Sequence, residues 1–383
     1  MTRKLFYEDP CLAEFSAKVV SCEQENDRWA VILDATAFYP EGGGQAADVG
    51  TLGAARVLDT RERGEEVVHF CDAPLDAGTE VAGKIDWAHR FDLMQQHTGE
   101  HILSGILNAR FGYQNVGFHV GADVMEVDFD GPLTPEDIAW AELEANKAIW
   151  ENIPVKCWFP SPEELPNVVY RTKRALPWPV RIVQVPGFDS CACCGIHVKT
   201  TGQVGLIKIL SCVKFHQGVR LEMVCGQRAY RYTADVFNQN KQISQLFSAK
   251  ILETAAAARK VSDALAAEKM RSATLEKQVL GQIAESYVNC ENVLHFAENL
   301  SGAALRELAE QISLRCTGVA AVFTGEEGSF SYCLASKSQD LRSLGKEMTA
   351  ALNGRGGGKA EFQQGTVATT KEQINNFWNT FLM

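Results

Sequence analysis

The sequence predicts a mixed α+β protein that is built from several domains. Its 383 residues exceed the size of one ordinary domain, and 46% of them are hydrophobic while 22% are charged, as in an average globular protein. All twelve prolines lie at or before Pro186, so the character of the chain changes near its middle. The first half has short β-prone runs broken by glycine and proline, whereas the second half has long proline-free helical patterns.

Residues 1–86 predict an antiparallel β-barrel-like domain, because runs such as 29–33 and 67–71 are short, β-prone and separated by turn residues. From Trp87 to Asn108 the apolar residues recur at helical spacing, and a second helix is predicted over 135–152 with Thr134 as its N-cap. Strands predicted over 181–185 and 205–213 flank a cysteine-rich loop. We therefore assign residues 87–231 to an α/β core.

Apolar residues between 235 and 284 follow a three-to-four spacing. This spacing predicts a long helix or a helical hairpin over 232–288, a segment that suits a spacer or a dimer seam. Strands and helices then alternate, which predicts a small α/β domain over 289–383.

The charges are unevenly distributed. The formal net charge of −11 argues against a general attraction to nucleic acid. Between Leu165 and Arg231, however, ten basic residues stand against only two acidic ones, Asp189 and Glu222. This stretch is either a solvated basic face or a local phosphate-binding surface.

The sequence has no apolar run long enough for a membrane span and no secretory signal, so we expect a cytoplasmic protein without membrane partners. Its twelve cysteines are scattered over a long chain, which is unlike a disulfide scaffold. They are expected to be mostly free thiols, and any cluster among them suggests a metal.

Two pairs of metal-binding side chains have helical spacing. His97 and His101 lie four residues apart on the predicted helix, so both imidazoles face one side and can bind one metal ion. Cys193 and His197 have the same spacing in the cysteine-rich loop. Together these four side chains form a standard tetrahedral Zn2+ set.

Cys191 and Cys194 are rival ligands in that loop, because any of its three thiolates could reach the metal. With four protein ligands the metal site is closed, whereas with three ligands water or substrate takes the fourth position. The sequence leaves these alternatives open.

Two glycine-rich stretches can bring the backbone close to a ligand. Residues 36–45 read Thr-Ala-Phe-Tyr-Pro-Glu-Gly-Gly-Gly-Gln, and residues 353–359 read Asn-Gly-Arg-Gly-Gly-Gly-Lys. The amides of the second stretch, with Arg355 and Lys359, could cradle phosphate or could form a mobile loop.

The order of these motifs resembles the editing domain of alanyl-tRNA synthetase and the free-standing alanyl-tRNA editing proteins of the AlaX family. The glycine-rich run is followed by Arg90 and Met94, then by His-x-x-x-His and Cys-x-x-x-His. The helical segment and the last domain are similar to the long form of that family, whose C-terminal domain is DHH-associated-like. The resemblance covers essentially the whole chain and includes no aminoacylation core, which implies an enzyme acting in trans.

The resemblance implies a hydrolase that removes serine or glycine from mischarged tRNA(Ala), with Zn2+ as its cofactor. The zinc positions of the family fall on His97, His101, Cys193 and His197. Gln45 falls on the glutamine of the glycine-rich motif, and Thr36 falls where the family is thought to sense the serine hydroxyl. If alanine occupied the site, the buried Thr36 hydroxyl would be left without the partner that serine provides. This loss would give the discrimination against alanine.

For tRNA binding we expect five basic side chains to contribute, namely Arg171, Lys173, Arg174, Arg355 and Lys359. The helical and C-terminal segments are expected to form a homodimer. One departure from the family is local: its Cys-Gly-Gly-Thr-His reads Cys-Cys-Gly-Ile-His over 193–197. Ile196 lacks the threonine hydroxyl, which puts a hydrogen bond near His197 in doubt.

Two other functions are compatible with parts of the sequence. Residues 97–101 also fit the H-x-x-E-H pattern of zinc peptidases, in which Glu100 would be the general base. The cysteine ligand and the glycine-rich run are not explained by that class. A zinc-stabilised tRNA-binding module without catalysis is the second alternative.

Overall fold

The computed structural model describes residues 1–172 and 179–381, so Lys173 and Arg174 lie outside the described residues. The chain divides into two compact units, Met1–Gln242 and Ile243–Met383. Both units combine helices with sheets, which confirms the mixed α+β class. The finer division at residues 86, 231 and 288 stays a prediction. None of the described helices has the length and apolar character that crossing a membrane requires.

The first unit begins with a ring of six antiparallel strands. In chain order the first elements are β1 (Arg3–Lys4), α1 (Leu5–Glu8), β2 (Glu14–Glu25), β3 (Arg28–Leu33), β4 (Ala35–Thr36), β5 (Gly50–Leu52), β6 (Ala55–Arg63), β7 (Glu66–Cys71) and β8 (Glu80–Ile85). The ring strands pair in the order β2-β3-β7-β6-β5-β8, and β8 pairs back with β2. The short strands β1 and β4 pair in parallel beside the ring.

The ring is formed by strands whose alternate residues face its interior, as Val31 and Leu33 of β3 do. Between β2 and β3 the chain turns at Asn26, whose φ of 57° is a left-handed conformation that asparagine tolerates. The interior residues form their own apolar cluster. The ring therefore has a core of its own within the first unit.

The rest of the first unit is built around one long helix. Its elements are α2 (Trp87–Phe111), β9 (Asn115–Val120), β10 (Met125–Phe129), α3 (Pro135–Trp150), β11 (Lys156–Trp158), β12 (Ile182–Val185), β13 (Asp189–Ala192), β14 (Ile207–Phe215), β15 (Gly218–Cys225) and α4 (Gly226–Leu246). One antiparallel sheet has the order β14-β15-β10-β9 and a second has the order β11-β12-β13. Helix α2 contacts α3, β13 and β15. The loop that follows β13 therefore lies beside α2.

Helix α2 extends three residues beyond the predicted end at Asn108. Asp86 caps its first turn by accepting a hydrogen bond from the His89 N–H, and Gly112 ends the helix with a φ of 77°. The capping side chain satisfies an N–H group that has no partner within the helix.

Arg90 joins the start of α2 to the ring. Its side chain is fully buried, and its Nε donates to Asp48 Oδ2 at 3.0 Å. Its other nitrogens donate to the carbonyls of Ala37 and Leu12. Asp48 also accepts a hydrogen bond from the Tyr39 N–H at 2.6 Å. One buried ion pair thus fixes the helix, the ring and the beginning of the glycine-rich motif.

The second unit is a five-stranded sheet with helices on both faces. Its elements are α5 (Thr254–Glu285), β16 (Val293–Ala297), α6 (Gly302–Ser313), β17 (Ala320–Glu326), β18 (Ser329–Ala335), α7 (Arg342–Ala351), β19 (Gly354–Lys359), β20 (Phe362–Val367) and α8 (Lys371–Phe381). The order is β16-β17-β18-β20-β19, with only β16 and β17 parallel. Alternate residues of β17 enter two apolar clusters, one with α5 and α6 and the other with α7 and α8.

Within residues 232–288, where the sequence predicts a long helix or a helical hairpin, the structure has two helices, of which α4 ends at Leu246 and α5 begins at Thr254. The second glycine-rich stretch is not a loop, because residues 354–359 form the edge strand β19. Glycine suits this strand: a Cβ on Gly356 would lie 3.1 Å from the Cα of Gly365 and closer still to the Tyr332 hydroxyl.

We predict that Arg90→Ala lowers the free energy of unfolding of the first unit by about 3–5 kcal/mol, because the Asp48 carboxylate would stay buried without its cation. Urea unfolding followed by tryptophan fluorescence measures this loss, since six of the seven tryptophans lie within residues 1–242. The control is Arg56→Ala, which removes an exposed partner of Asp72 and should barely move the midpoint. Equal midpoints for the two variants would contradict the role given to Arg90.

Candidate metal centre and active site

Helix α2 and the loop after β13 bring four metal-binding side chains together. His97 and His101 lie one turn apart on α2, and Cys193 and His197 come from the loop. The ligand atoms of all four lie within 4.8 Å of one another. The Sγ of Cys193 is 3.4 Å from Nε2 of His97, and each of the three histidines is at most 3% exposed.

Each of the three imidazoles has its Nδ1 beside an oxygen atom. The partners are Gln45 Oε1 at 2.8 Å from His97, Asp189 Oδ2 at 3.0 Å from His101 and Thr98 Oγ1 at 3.1 Å from His197. An amide oxygen and a carboxylate can only accept, so Nδ1 of the first two rings carries the hydrogen. Their Nε2 atoms then keep a lone pair, which is the arrangement that a metal ligand requires.

The cluster fits a metal ion. Nε2 of His197 is buried and has no hydrogen-bond partner among the described residues, although a buried polar atom ordinarily needs one. Burial alone would raise the pKa of the Cys193 thiol, but the charge of His97 and the hydrogen bond with His101 lower it well below its ordinary value. A metal ion at this point would replace the imidazole protons and would itself compensate the thiolate charge, so the thiol and the three imidazoles fit a transition metal.

The rival thiols differ from Cys193. Cys191 belongs to a second group with His101 and Asp189, whose ligand atoms also lie within 4.8 Å of one another. Cys194 lies against the glycine-rich turn, where a Cβ on Gly43 would be 3.1 Å from its Sγ. Burial raises the pKa of Cys191 to about 11 and also raises that of Cys194. Neither thiol ionises as readily as Cys193.

The metal-binding loop is anchored through its backbone. The guanidinium of Arg181 donates to the carbonyls of Cys193 at 3.0 Å and Gly195 at 2.6 Å. The Tyr7 hydroxyl donates to the carbonyl of Cys194 at 2.9 Å, and Arg181 lies over the Tyr7 ring. Three consecutive carbonyls are therefore engaged by two side chains, which fixes the direction of Cys193.

The first glycine-rich stretch delivers Gln45 to the cluster through a tight turn. Gly42 and Gln45 pair through their backbones, and Gly44 has a φ of 83° at a point where a Cβ would overlap the Phe118 ring. Oε1 of Gln45 lies beside His97, whereas its Nε2 is buried and, within the part of the chain that the structure describes, has no hydrogen-bond partner. An amide donor without a partner at this point is available to a ligand.

Thr36 makes its hydrogen bonds within the ring. Nδ1 of His69 lies 3.0 Å from the carbonyl of Val31, so His69 accepts at Nε2 from the Thr36 hydroxyl at 2.8 Å. The Thr36 oxygen also accepts from the Phe38 N–H at 3.1 Å. Burial lowers the pKa of His69 to about 4, so this ring is neutral at pH 7. The hydroxyl hydrogen of Thr36 is thus already donated to His69, and this bond fixes the orientation of the hydroxyl.

Glu100 lies beside the metal-binding side chains, and one of its two carboxylate oxygens is already engaged in hydrogen bonds. Its Oε1 accepts hydrogen bonds from the Ser104 hydroxyl at 2.5 Å and from the Asn115 amide. Its Oε2 lies 3.9 Å from Nε2 of His101. One carboxylate oxygen therefore faces the cluster while the other is held by neighbouring side chains.

Most described basic side chains between residues 165 and 231 already have acidic partners. The ion pairs are Arg171–Asp189, Lys199–Asp9, Lys208–Glu142, Arg220–Asp128 and Arg228–Asp92. Four of these acids lie outside the stretch, so counting acids within it overstated its free positive charge. Arg355 and Lys359 are exposed on β19.

Sequence reasoning missed the side chains that hold the ligands, namely Thr98, Asp189, Arg181 and Tyr7. Thr98 lies between the two helix histidines, yet spacing alone does not reveal that it reaches His197. Asp189 had a visible signal, because it is one of only two acids in a basic stretch and stands four residues before Cys193. Arg181 and Tyr7 gave no signal that distinguishes them from surface residues.

Two family models match the chain. The model described as tRNA synthetases class II (A) matches residues 3–89, which include Gln45. The model described as Threonyl and Alanyl tRNA synthetase second additional domain matches residues 180–221, which include Cys193 and His197. Gln45 and the loop ligands thus fall in matched segments, whereas His97 and His101 lie between the two matches.

Three relatives illustrate the similarity. Alanyl-tRNA editing protein AlaX-L of Pyrococcus horikoshii is 30% identical, over 98% of this chain and 96% of its own length. Alanyl-tRNA editing protein Aarsd1 of Danio rerio is 28% identical over 93% of this chain and 92% of its own. An alanine–tRNA ligase of Ignicoccus hospitalis is 37% identical over 64% of this chain. The aligned part covers only 28% of the length of the ligase. Since AlaX-L matches along almost the whole of both chains, the chain belongs to the family of alanyl-tRNA editing proteins.

Proposed function

We propose that the protein is an aminoacyl-tRNA deacylase that acts in trans on tRNA(Ala) mischarged with serine or glycine. The reaction is hydrolysis of the ester between the amino acid and the terminal ribose. The observation that carries this proposal is the convergence of Cys193 with three buried imidazoles, those of His97, His101 and His197, in a member of the editing family.

Zn2+ is the metal that we propose for this group. Three imidazole nitrogens and one thiolate are a tetrahedral zinc set, and zinc brings no redox chemistry to a hydrolytic site. When bound, it would supply Lewis-acid polarisation of the ester carbonyl. The protein contributes a water-poor pocket and fixed ligand directions, since all three imidazoles are buried.

Gln45 and Glu100 are the proposed catalytic side chains nearest the ligands. The unpartnered amide of Gln45 can donate to the ester carbonyl oxygen as negative charge develops on it. Glu100 can accept a proton from the attacking water through Oε2, the oxygen that faces His101. Gln45 would thus act on the carbonyl oxygen of the ester, and Glu100 would act on the attacking water.

Thr36 is the proposed sensor of the serine hydroxyl. Because its own hydrogen is donated to His69, its oxygen can only accept from a further ligand. A serine hydroxyl can donate to that oxygen, whereas alanine and glycine cannot. The resulting preference is on the order of 1–3 kcal/mol.

The tRNA would be bound by basic side chains, among which we propose the exposed Arg355 and Lys359, together with Lys173 and Arg174, which lie outside the described residues. A homodimer through the helical segment is also proposed. Its support is a stripe of half-exposed apolar side chains on α5, namely Val261, Leu265, Leu275 and Val279. A cytoplasmic location fits an enzyme that acts on tRNA.

A zinc-bound module that binds tRNA without hydrolysis is the second candidate, and it predicts an intact ester after binding. A peptidase is disfavoured because it explains neither the thiol of Cys193 among the metal-binding side chains nor the glycine-rich turn that brings Gln45 beside His97. Incubating the protein with seryl-, glycyl- and alanyl-tRNA(Ala) separates these functions. Preferential loss of the first two esters supports the deacylase, and equal stability of all three contradicts it.

We predict one zinc ion per chain in the protein and its loss in Cys193→Ala, because the remaining thiols have raised pKa values. Metal analysis after dialysis provides the measurement. Cys194→Ala is the matched control and should retain the metal. Undiminished zinc in Cys193→Ala would transfer the ligand position to Cys191 or Cys194.

Gln45→Glu should keep zinc but lower kcat for deacylation about 100-fold or more, because it keeps an oxygen for His97 and removes the amide donor. Gln45→Ala loses both atoms and is expected to weaken zinc binding as well. Zinc affinity and single-turnover deacylation are measured on both variants. Full activity of Gln45→Glu would remove the amide from the reaction.

Thr36→Val should lower hydrolysis of the serine ester about tenfold or more and affect the glycine ester less, because only serine donates to the Thr36 oxygen. Thr60→Val is the matched control, since Thr60 is an equally buried ring threonine that donates to the carbonyl of Asp48. The comparison is the ratio of kcat/KM for the two esters. An unchanged ratio in Thr36→Val would reject Thr36 as the sensor.

A further inference from the structure

Arg171, expected from the sequence to contact tRNA, is bound to a metal ligand through one carboxylate. Its Nε donates to Asp189 Oδ1 at 2.7 Å, and a second nitrogen of its guanidinium donates to Oδ2 at 3.0 Å. The same Oδ2 accepts from Nδ1 of His101 at 3.0 Å. Arginine, carboxylate and imidazole thus form a continuous hydrogen-bonded series that ends at the four candidate metal-binding side chains.

The inner two members of this hydrogen-bonded series are buried, and the outer one is mostly buried. The side chains of His101 and Asp189 are 3% and 1% exposed, and that of Arg171 is 15% exposed. A carboxylate at such depth is costly unless a cation and hydrogen bonds compensate it. The fork of Arg171 supplies both in two parallel bonds, which also fixes the plane of the carboxylate.

The backbone of Arg171 is attached to the strand that leads into the metal-binding loop. Its N–H donates to the carbonyl of Ser190 at 2.8 Å, and its carbonyl accepts from the Ala192 N–H at 2.9 Å. Arg171 therefore holds β13 on both sides of Cys191, immediately before Cys193. Its side chain reaches the helix ligand, while its backbone holds the loop ligand in place.

Helix α2 has a glycine where β13 approaches it. Gly105 lies four residues after His101, on the same face of the helix, and a Cβ on it would be 2.6 Å from the Cβ of Asp189. A larger residue would push β13 away and open the bond between Asp189 and His101. Helix α2 and β13 thus approach each other closely at Gly105, next to the hydrogen bond between Asp189 and His101.

We propose that Arg171 and Asp189 are positioning residues for His101, so that Arg171 contributes to metal affinity instead of phosphate binding. The inference rests on the metal site of the proposed function. Among the described partners of the three Nδ1 atoms, Asp189 alone is charged, whereas Gln45 and Thr98 are neutral. A carboxylate behind an imidazole fixes the ring and makes it a stronger donor to the metal.

The test measures Zn2+ affinity of the full chain by competition with a chelator, in the absence of tRNA. Arg171→Ala and Asp189→Asn are expected to weaken binding by about 10- to 100-fold, and Arg171→Lys is expected to recover part of the loss. The matched control is Arg220→Ala, which breaks a similar two-bond pair with Asp128 and should leave zinc affinity unchanged. The visible spectrum of bound Co2+ is the second readout, since a change in its bands reports altered ligand geometry at His101.

The double variant Arg171→Leu with Asp189→Asn removes both charges of the pair, so no unpaired charge stays buried. It therefore serves as the test if a single variant does not fold. Wild-type zinc affinity and an unchanged Co2+ spectrum in these variants would overturn the proposal. So would a loss of tRNA affinity in Arg171→Ala with a shallower salt dependence and unaltered zinc binding. If the unmodified protein binds no zinc, the proposed metal site is contradicted. If the protein binds zinc and all variants bind it equally well, only the role of Arg171 and Asp189 is contradicted.

Discussion

Three imidazoles are buried at one point of the first unit, and the fold around them is constrained by the need to give each Nδ1 a partner. A buried N–H without an acceptor is costly, and a ring whose tautomer is not fixed is a poor ligand. The three partners come from separate parts of the chain, namely Gln45 from the glycine-rich turn, Thr98 from α2 and Asp189 from β13. Positioning the ligands therefore requires the ring, the helix and the second sheet to be assembled together.

Helix α2 makes this assembly possible because almost all of its middle section is buried and its polar side chains have partners. Arg90 holds its beginning against the ring, and Gln96 exchanges two hydrogen bonds with the backbone of Cys225 on β15. Gly105 lets β13 approach near its end. A helix buried on all sides cannot slide or rotate without breaking several polar contacts at once. The two helix histidines are therefore fixed more firmly than their spacing alone would require.

The local part of the site was predictable from the sequence, and the long-range part was not. The i,i+4 spacing of His97 and His101 follows from helix geometry, so the sequence reveals it directly. The partners of His101 and His197 lie 88 and 99 residues away, so only the folded chain brings them together. Charge counting failed for the same reason, because Arg220 and Arg228 meet carboxylates from distant segments. The strand at 354–359 was missed because its edge pairing with β20 is a tertiary contact that a run of glycines does not indicate.

The apolar residue before His197 is accommodated because the hydroxyl next to that imidazole comes from the helix. Thr98 lies beside Nδ1 of His197 and also accepts a hydrogen bond from the Val198 N–H at 3.2 Å. Ile196 is fully buried and belongs to the main apolar cluster, where its side chain adds roughly 1.5–3 kcal/mol of burial. A threonine at residue 196 would have to find a partner for its own hydroxyl within that cluster. One threonine on α2 thus holds both the imidazole and the chain that follows it, and the loop residue between the glycine and the ligand can be apolar without loss of the ligand's orientation.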